Sequence, residues 1–68
     1  MDDKAVSDTE FCLSILAAIA VLGSIEAVSI ACDVSLPTVR RWAEGRNTPH
    51  QLMRPGLISA LKIAMEKV

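Results

Sequence analysis

The sequence predicts an all-α domain, and three observations carry that reading. Hydrophobic residues make up 51% of the chain, drawn mainly from Ala, Leu, Ile and Val, while Phe11 and Trp42 are its only aromatics; that balance suits packed helices better than sheets. Apolar positions recur at helical spacing along the chain. Serine, threonine, glycine and proline interrupt those stretches where helix caps and stops belong. At 68 residues there is room for one domain, near the lower size at which a chain buries enough apolar surface to fold alone. Efficient helix packing together with a self-association surface is therefore expected.

Residues 1–6 read as a flexible terminus. Ser7-Asp8-Thr9-Glu10 then fits a capping box, in which hydroxyl and carboxylate satisfy each other's free backbone N–H groups, so a first helix is predicted from about Asp8 to Leu22. Its apolar positions almost encircle it; one face is expected to pack on the domain and another to meet a second subunit. Gly23 stops the helix, because glycine takes the left-handed conformation without a side-chain clash. Ser24 caps a second helix from Ile25 to about Cys32, with Val28, Ala31 and Cys32 facing inward and Glu26 near the positive N-terminal end. Asp33 and Val34 make a turn, and a third helix runs from about Leu36 to Glu44, ending at Gly45. Beyond the loop, Thr48 is expected to cap a brief fourth helix with Pro49 at its first position. Pro55-Gly56 is expected to interrupt it. A final helix from about Leu57 to Glu66 presents Leu57, Leu61, Ala64, Met65 and Val68 at helical spacing, beside Ile58. The expectation is a compact five-helix domain spanning residues 1–68, without repeats, low-complexity segments or a linker.

Composition narrows the function classes. Cys12 and Cys32 lie in apolar runs with no C-x-x-C pair or metal-ligand spacing, which reads as two buried thiols in a reducing compartment. The most apolar stretch, Phe11 to Leu22, falls short of the roughly 20 residues a membrane span needs. Acidic residues precede it where a secretory signal requires positive charge. A cytoplasmic protein is expected, with no membrane partner. The net charge of -1 conceals a split: residues 1–34 carry one lysine against six acidic residues, a net of -5, whereas residues 35–68 carry six basic residues against two acidic ones, a net of +4. Arg40, Arg41, Arg46 and Arg54 fall within fifteen positions, and such asymmetry predicts a basic face.

The stretch Asp33-Val34-Ser35-Leu36-Pro37-Thr38-Val39-Arg40-Arg41-Trp42-Ala43-Glu44-Gly45-Arg46 places that face on the third helix. Helix, three-to-four-residue turn, helix is the arrangement of the DNA-binding helix-turn-helix. Val34 fills the corner, Ser35 caps the second helix of the pair, and Val39 and Trp42, three apart, lock it onto the core. Pro37, Thr38, Arg40, Arg41 and Glu44 are left outside. Arginine suits such a place because its planar fork bonds guanine O6 and N7 together, or clamps a phosphate. Arg54 is open to two readings, phosphate binding or pairing with a carboxylate.

On Val34-Ser35, Val39, Trp42, Gly45 and Pro49, the segment from Ser24 to His50, about 40% of the chain, resembles the lambda-repressor/Cro-type (XRE-like) helix-turn-helix family. The resemblance implies a recognition helix that enters the major groove, with Ser35, Leu36, Pro37, Thr38, Arg40 and Arg41 at or near bases. It also implies that Arg46 and Asn47 in the following loop meet the sugar-phosphate backbone, and that a homodimer binds a pseudo-palindromic operator in double-stranded DNA. The chain departs from the family's pattern in three places: Asp33 stands at the usual turn glycine, Ser29 at a usual small alanine, and Leu36-Pro37 where polar base readers are common. Polar readout accordingly falls on Arg40 and Arg41, with Leu36 or Pro37 against thymine methyls.

No constellation supports an enzyme. His50 lacks catalytic company, and Ser7, Ser24 and Thr48 read as caps rather than nucleophiles. No cofactor, metal or small-molecule effector is implied. The sequence thus predicts a phage- or bacterial-type transcriptional regulator, a repressor that occupies its operator as a dimer. The alternative is a protein-interaction module or small inhibitor built on the same helices, suggested by the acidic N-terminal half and the apolar first helix.

Overall fold

The computed structural model describes residues 6–68, so most of the predicted flexible terminus, residues 1–5, lies outside the described residues. Among the described residues the fold is all-α, with four helices rather than five: α1 (Asp8–Leu22), α2 (Ile25–Cys32), α3 (Leu36–Ala43) and α4 (Arg54–Glu66), with a single 3-10 turn at Gln51–Met53 before the last.

Local chemistry sets the first three as the sequence predicts. At the start of α1 the Glu10 N–H donates to Ser7 Oγ and the Ser7 N–H to Glu10 Oε1, each at 3.0 Å. Gly23, at φ 97, closes α1 by donating its N–H to the Ile19 carbonyl, and the chain turns through 114° into α2. Ser24 Oγ accepts from the Ala27 N–H at the start of α2. No single helix among the described residues is long and apolar enough to cross a membrane.

The predicted fourth and fifth helices are corrected. Pro55 does not interrupt a helix; it sits in the first turn of α4, which begins at Arg54, where a missing N–H deprives the helix of nothing. The helix expected from Thr48 shrinks to the 3-10 turn, and its cap is His50, whose Nδ1 accepts from the Leu52 N–H at 3.1 Å. Thr48 spends its hydroxyl on other partners, Arg54 and Asp8. Val68 lies beyond the end of α4 and is exposed rather than inward.

The core joins one face of every helix. Phe11, Ile15 and Ala18 of α1, Val28 and Cys32 of α2, Val39 and Trp42 of α3, and Leu57 and Leu61 of α4 form one buried cluster. α3 and α4 both dock on the pair α1 and α2. Phe11 meets Trp42 edge to face, with ring centroids 5.2 Å apart and planes at 80°, a geometry the ring quadrupoles favour. The opposite side of α1 is an unpartnered apolar stripe of Leu13, Leu16, Ala17, Ala20 and Val21, all exposed. Cys12 is half-buried and Cys32 buried; both are free thiols.

Candidate nucleic-acid interface

The site is built from the connection between α2 and α3. Asp33 takes the left-handed conformation, φ 58 and ψ 48. Its N–H donates to the Ile30 carbonyl at 3.2 Å, and the Val34 N–H to the Ser29 carbonyl at 3.0 Å; this is the Schellman arrangement that satisfies the last carbonyls of a helix. Aspartate tolerates that conformation better than most residues, so the departure from glycine leaves the turn intact. Ser29, the second departure, is buried and donates its hydroxyl to the Glu26 carbonyl at 2.7 Å, which leaves no unsatisfied polar group among the core residues.

Three residues then carry the chain into α3. Val34, half-buried, packs against the core, and Ser35 Oγ accepts from the Thr38 N–H at 3.3 Å. Leu36 occupies the first helical position and Pro37 the second. Both positions suit residues that give no N–H to the helix ladder. Ser35 and Thr38 share a further hydroxyl bond of 2.8 Å, so two of the predicted base-side hydroxyls are engaged with each other in the cap. Leu36 and Thr38 are half-buried, and Pro37 is exposed.

α3 divides cleanly by period. Val39 and Trp42 point inward and are buried, whereas Pro37, Arg40, Arg41 and Glu44 are exposed. Their spacing of three, four and seven residues puts them on one outward stripe. The stripe is two guanidinium groups long, and neither Arg40 nor Arg41 pairs with a carboxylate among the described residues.

The helix ends in a second Schellman turn. The Gly45 N–H donates to the Trp42 carbonyl at 3.0 Å and the Arg46 N–H to the Arg41 carbonyl at 2.8 Å. Gly45 takes φ 81, and two residues on, Asn47 takes φ 49. Arg46 reaches back to Glu44, Nε to Oε1 3.3 Å, with both side chains largely exposed. A pair so exposed is worth little and is readily exchanged for another anion. Asn47 is exposed beside it.

Arg54 does not belong to the basic face. Of the two readings open in the sequence, it follows the second: it is buried and pairs with Asp8, Nη2 to Oδ1 2.8 Å. The surface arginines of this region are therefore Arg40, Arg41 and Arg46. Sequence reasoning missed the exposure of Leu52 and Met53, which follows from the collapse of the expected fourth helix into one 3-10 turn. No family model, curated protein or solved structure matches the chain.

Proposed function

We propose that the chain is a sequence-specific DNA-binding regulator in which α2, the turn at residues 33–35 and α3 act as a helix-turn-helix. The observation that carries this reading is the outward stripe of Arg40 and Arg41 on a helix whose other face is fixed by Val39 and Trp42. An α-helix with its side chains is about 10–12 Å across, which fits a major groove about 12 Å wide. Arg40 and Arg41 then reach base edges or phosphates, Pro37 and Leu36 supply apolar contact to thymine methyls, and Arg46 and Asn47 lie over the sugar-phosphate backbone. Ser35 and Thr38 contribute chiefly by holding the first turn. The family resemblance on Val34-Ser35, Val39, Trp42, Gly45 and Pro49 supports the same assignment and adds the dimer. The exposed stripe of α1 offers a second protomer an apolar face. In this reading the protein is a repressor of phage or bacterial type that works by occupying its operator.

Selection of duplexes from a random pool, followed by titration of the enriched sequence, tests the proposal. An enriched motif is expected, with log K falling against log salt because arginine-phosphate contacts release counterions. Arg40→Ala/Arg41→Ala is expected to weaken binding at least tenfold, since each good bidentate contact is worth about 1–3 kcal/mol. Equal binding by the parent and the double variant refutes the assignment of α3. Light scattering reads the protomer number in the same preparations.

A second reading, a protein-interaction module, is favoured by the apolar stripe of α1 alone. It predicts that the same selection enriches nothing.

A further inference from the structure

The guanidinium of Arg54 is the most deeply placed charge among the described residues, with 6% of the residue exposed. Its fork is filled from several directions. Nε donates to the Pro49 carbonyl at 2.8 Å, Nη1 to the Val6 carbonyl at 2.8 Å, and Nη2 to Thr48 Oγ1 at 3.0 Å. Nη2 also pairs with Asp8 Oδ1 at 2.8 Å. Thr48 Oγ1 in turn donates to Asp8 Oδ1 at 3.4 Å, and Gln51 Nε2 donates to the Val6 carbonyl at 2.8 Å. One side chain thereby joins the first residue of α4, the residues preceding and starting α1, and the end of the loop after α3.

We infer that Arg54 is a positioning residue, which with Asp8 holds the loop of Arg46 and Asn47 in register with α3; the inference rests on the DNA-binding reading of that loop. The loop is pinned at two points. On one side the Arg46 N–H is bonded to the Arg41 carbonyl, and on the other the Thr48 hydroxyl and Pro49 carbonyl are bonded to Arg54. Asn47 alone lies between them, in the left-handed conformation. The ion pair itself is not a large source of stability, because the Asp8 side chain is 75% exposed to solvent. What the guanidinium supplies is direction: donors in a rigid planar fork, aimed at separate chain segments. Loop and reading helix then meet DNA as one rigid piece, and the ordering entropy of the loop is lost on folding rather than on binding.

The test uses the full chain, the duplex enriched by the parent, and amide hydrogen exchange measured without DNA. Arg54→Met fills the space and removes every bond of the fork. It is expected to speed exchange of the Arg46 and Met53 amides, the bonded N–H groups at the two ends of the loop, at least tenfold while α1 and α3 core amides change little. Affinity for the duplex falls about tenfold with its base preference retained, and Arg54→Lys falls between. Asp8→Asn is the second variant, at a largely exposed carboxylate outside the apolar cluster. A bystander carboxylate near phosphates would repel them, so its neutralisation would tighten binding; the clamp predicts several-fold weaker binding and faster loop exchange. Unchanged loop exchange in the folded variants, or a loosened loop with unchanged affinity, overturns the inference. Failure of the parent to enrich any duplex refutes the DNA-binding reading and the loop's DNA role with it, whereas the exchange result reports separately on the clamp.

Discussion

Phe11→Ala probes the contact that fixes α3 to the body of the domain. Phe11 is fully buried and lies edge-on to Trp42, 5.2 Å between centroids. Removing a buried phenyl group costs about 3–5 kcal/mol through lost transfer energy and the cavity left behind. The aromatic pairing adds about 0.5–1.5 kcal/mol beyond the area buried, which places the expected loss in the upper half of the first range. A chain of 68 residues has a total stability of about 3–10 kcal/mol. The alanine variant is therefore expected to keep between none and about half of the parent's stability at 25 °C. Phe11→Leu keeps most of the volume and forfeits the pairing, so it is expected to lose about 1–2 kcal/mol and remain folded.

Trp42 is the single tryptophan and is 5% exposed, so its emission reports unfolding directly in urea titrations. With a slope near 1 kcal/mol per molar urea for a domain of this size, the leucine variant shifts the midpoint by about 1–2 M. An alanine variant that loses less than about 1 kcal/mol would refute the packing argument. It would mean that α3 is held by its caps and turns rather than by the Phe11 contact.

Two further perturbations address the turn and the thiol. Asp33 holds φ 58 at the α2–α3 turn, so Asp33→Gly is expected to match or exceed the parent in thermal stability, because relief of the left-handed strain offsets glycine's greater unfolded-state entropy. Asp33→Val is expected to lose about 1–2 kcal/mol, a drop of several degrees in Tm, and a valine variant as stable as the parent would refute the strain account. Burial pushes the Cys32 thiol above its ordinary value of 9.0 by desolvating the thiolate. A raised folded-state value means that the unfolded chain releases its proton first, so this contribution is intact below about pH 9 and is lost as pH rises past it. Urea titrations between pH 7 and 10.5 check this; Cys32→Ala is expected to have a shallower alkaline decline than the parent, and identical slopes would exclude the thiol as its source.

Most of the first three helices was legible because their boundaries are decided locally. Ser7 with Glu10, Ser24, Ser35, Gly23 and Gly45 act on N–H and carbonyl groups within five residues of themselves, and such interactions can be read from spacing. Pro55 was misread because the same residue starts a helix or breaks one according to its position. That position depended on where α4 begins, which no neighbouring residue announces. Arg54 was undecided for a different reason. Its partners are the carbonyls of Val6 and Pro49, the Thr48 hydroxyl and the carboxylate of Asp8; two of the four are more than forty residues away in sequence, and a backbone carbonyl leaves no mark in composition or charge.

The charge count illustrates the consequence. Four arginines within fifteen positions suggested one basic face, yet the fold uses them in three ways: Arg40 and Arg41 are exposed on the outer stripe, Arg46 leans on Glu44, and Arg54 is buried against Asp8. The stripe survives that reduction because the helical period of α3 separates it from Val39 and Trp42, so substitutions on the two faces act on different quantities. Changes at Arg40 or Arg41 alter what the surface meets and leave the core intact, since exposed positions contribute little to stability. Changes at Val39 or Trp42 act through folding. Only the loop beyond Gly45 couples the two, because Arg46 and Asn47 lie at the surface while the group that holds their loop is inside.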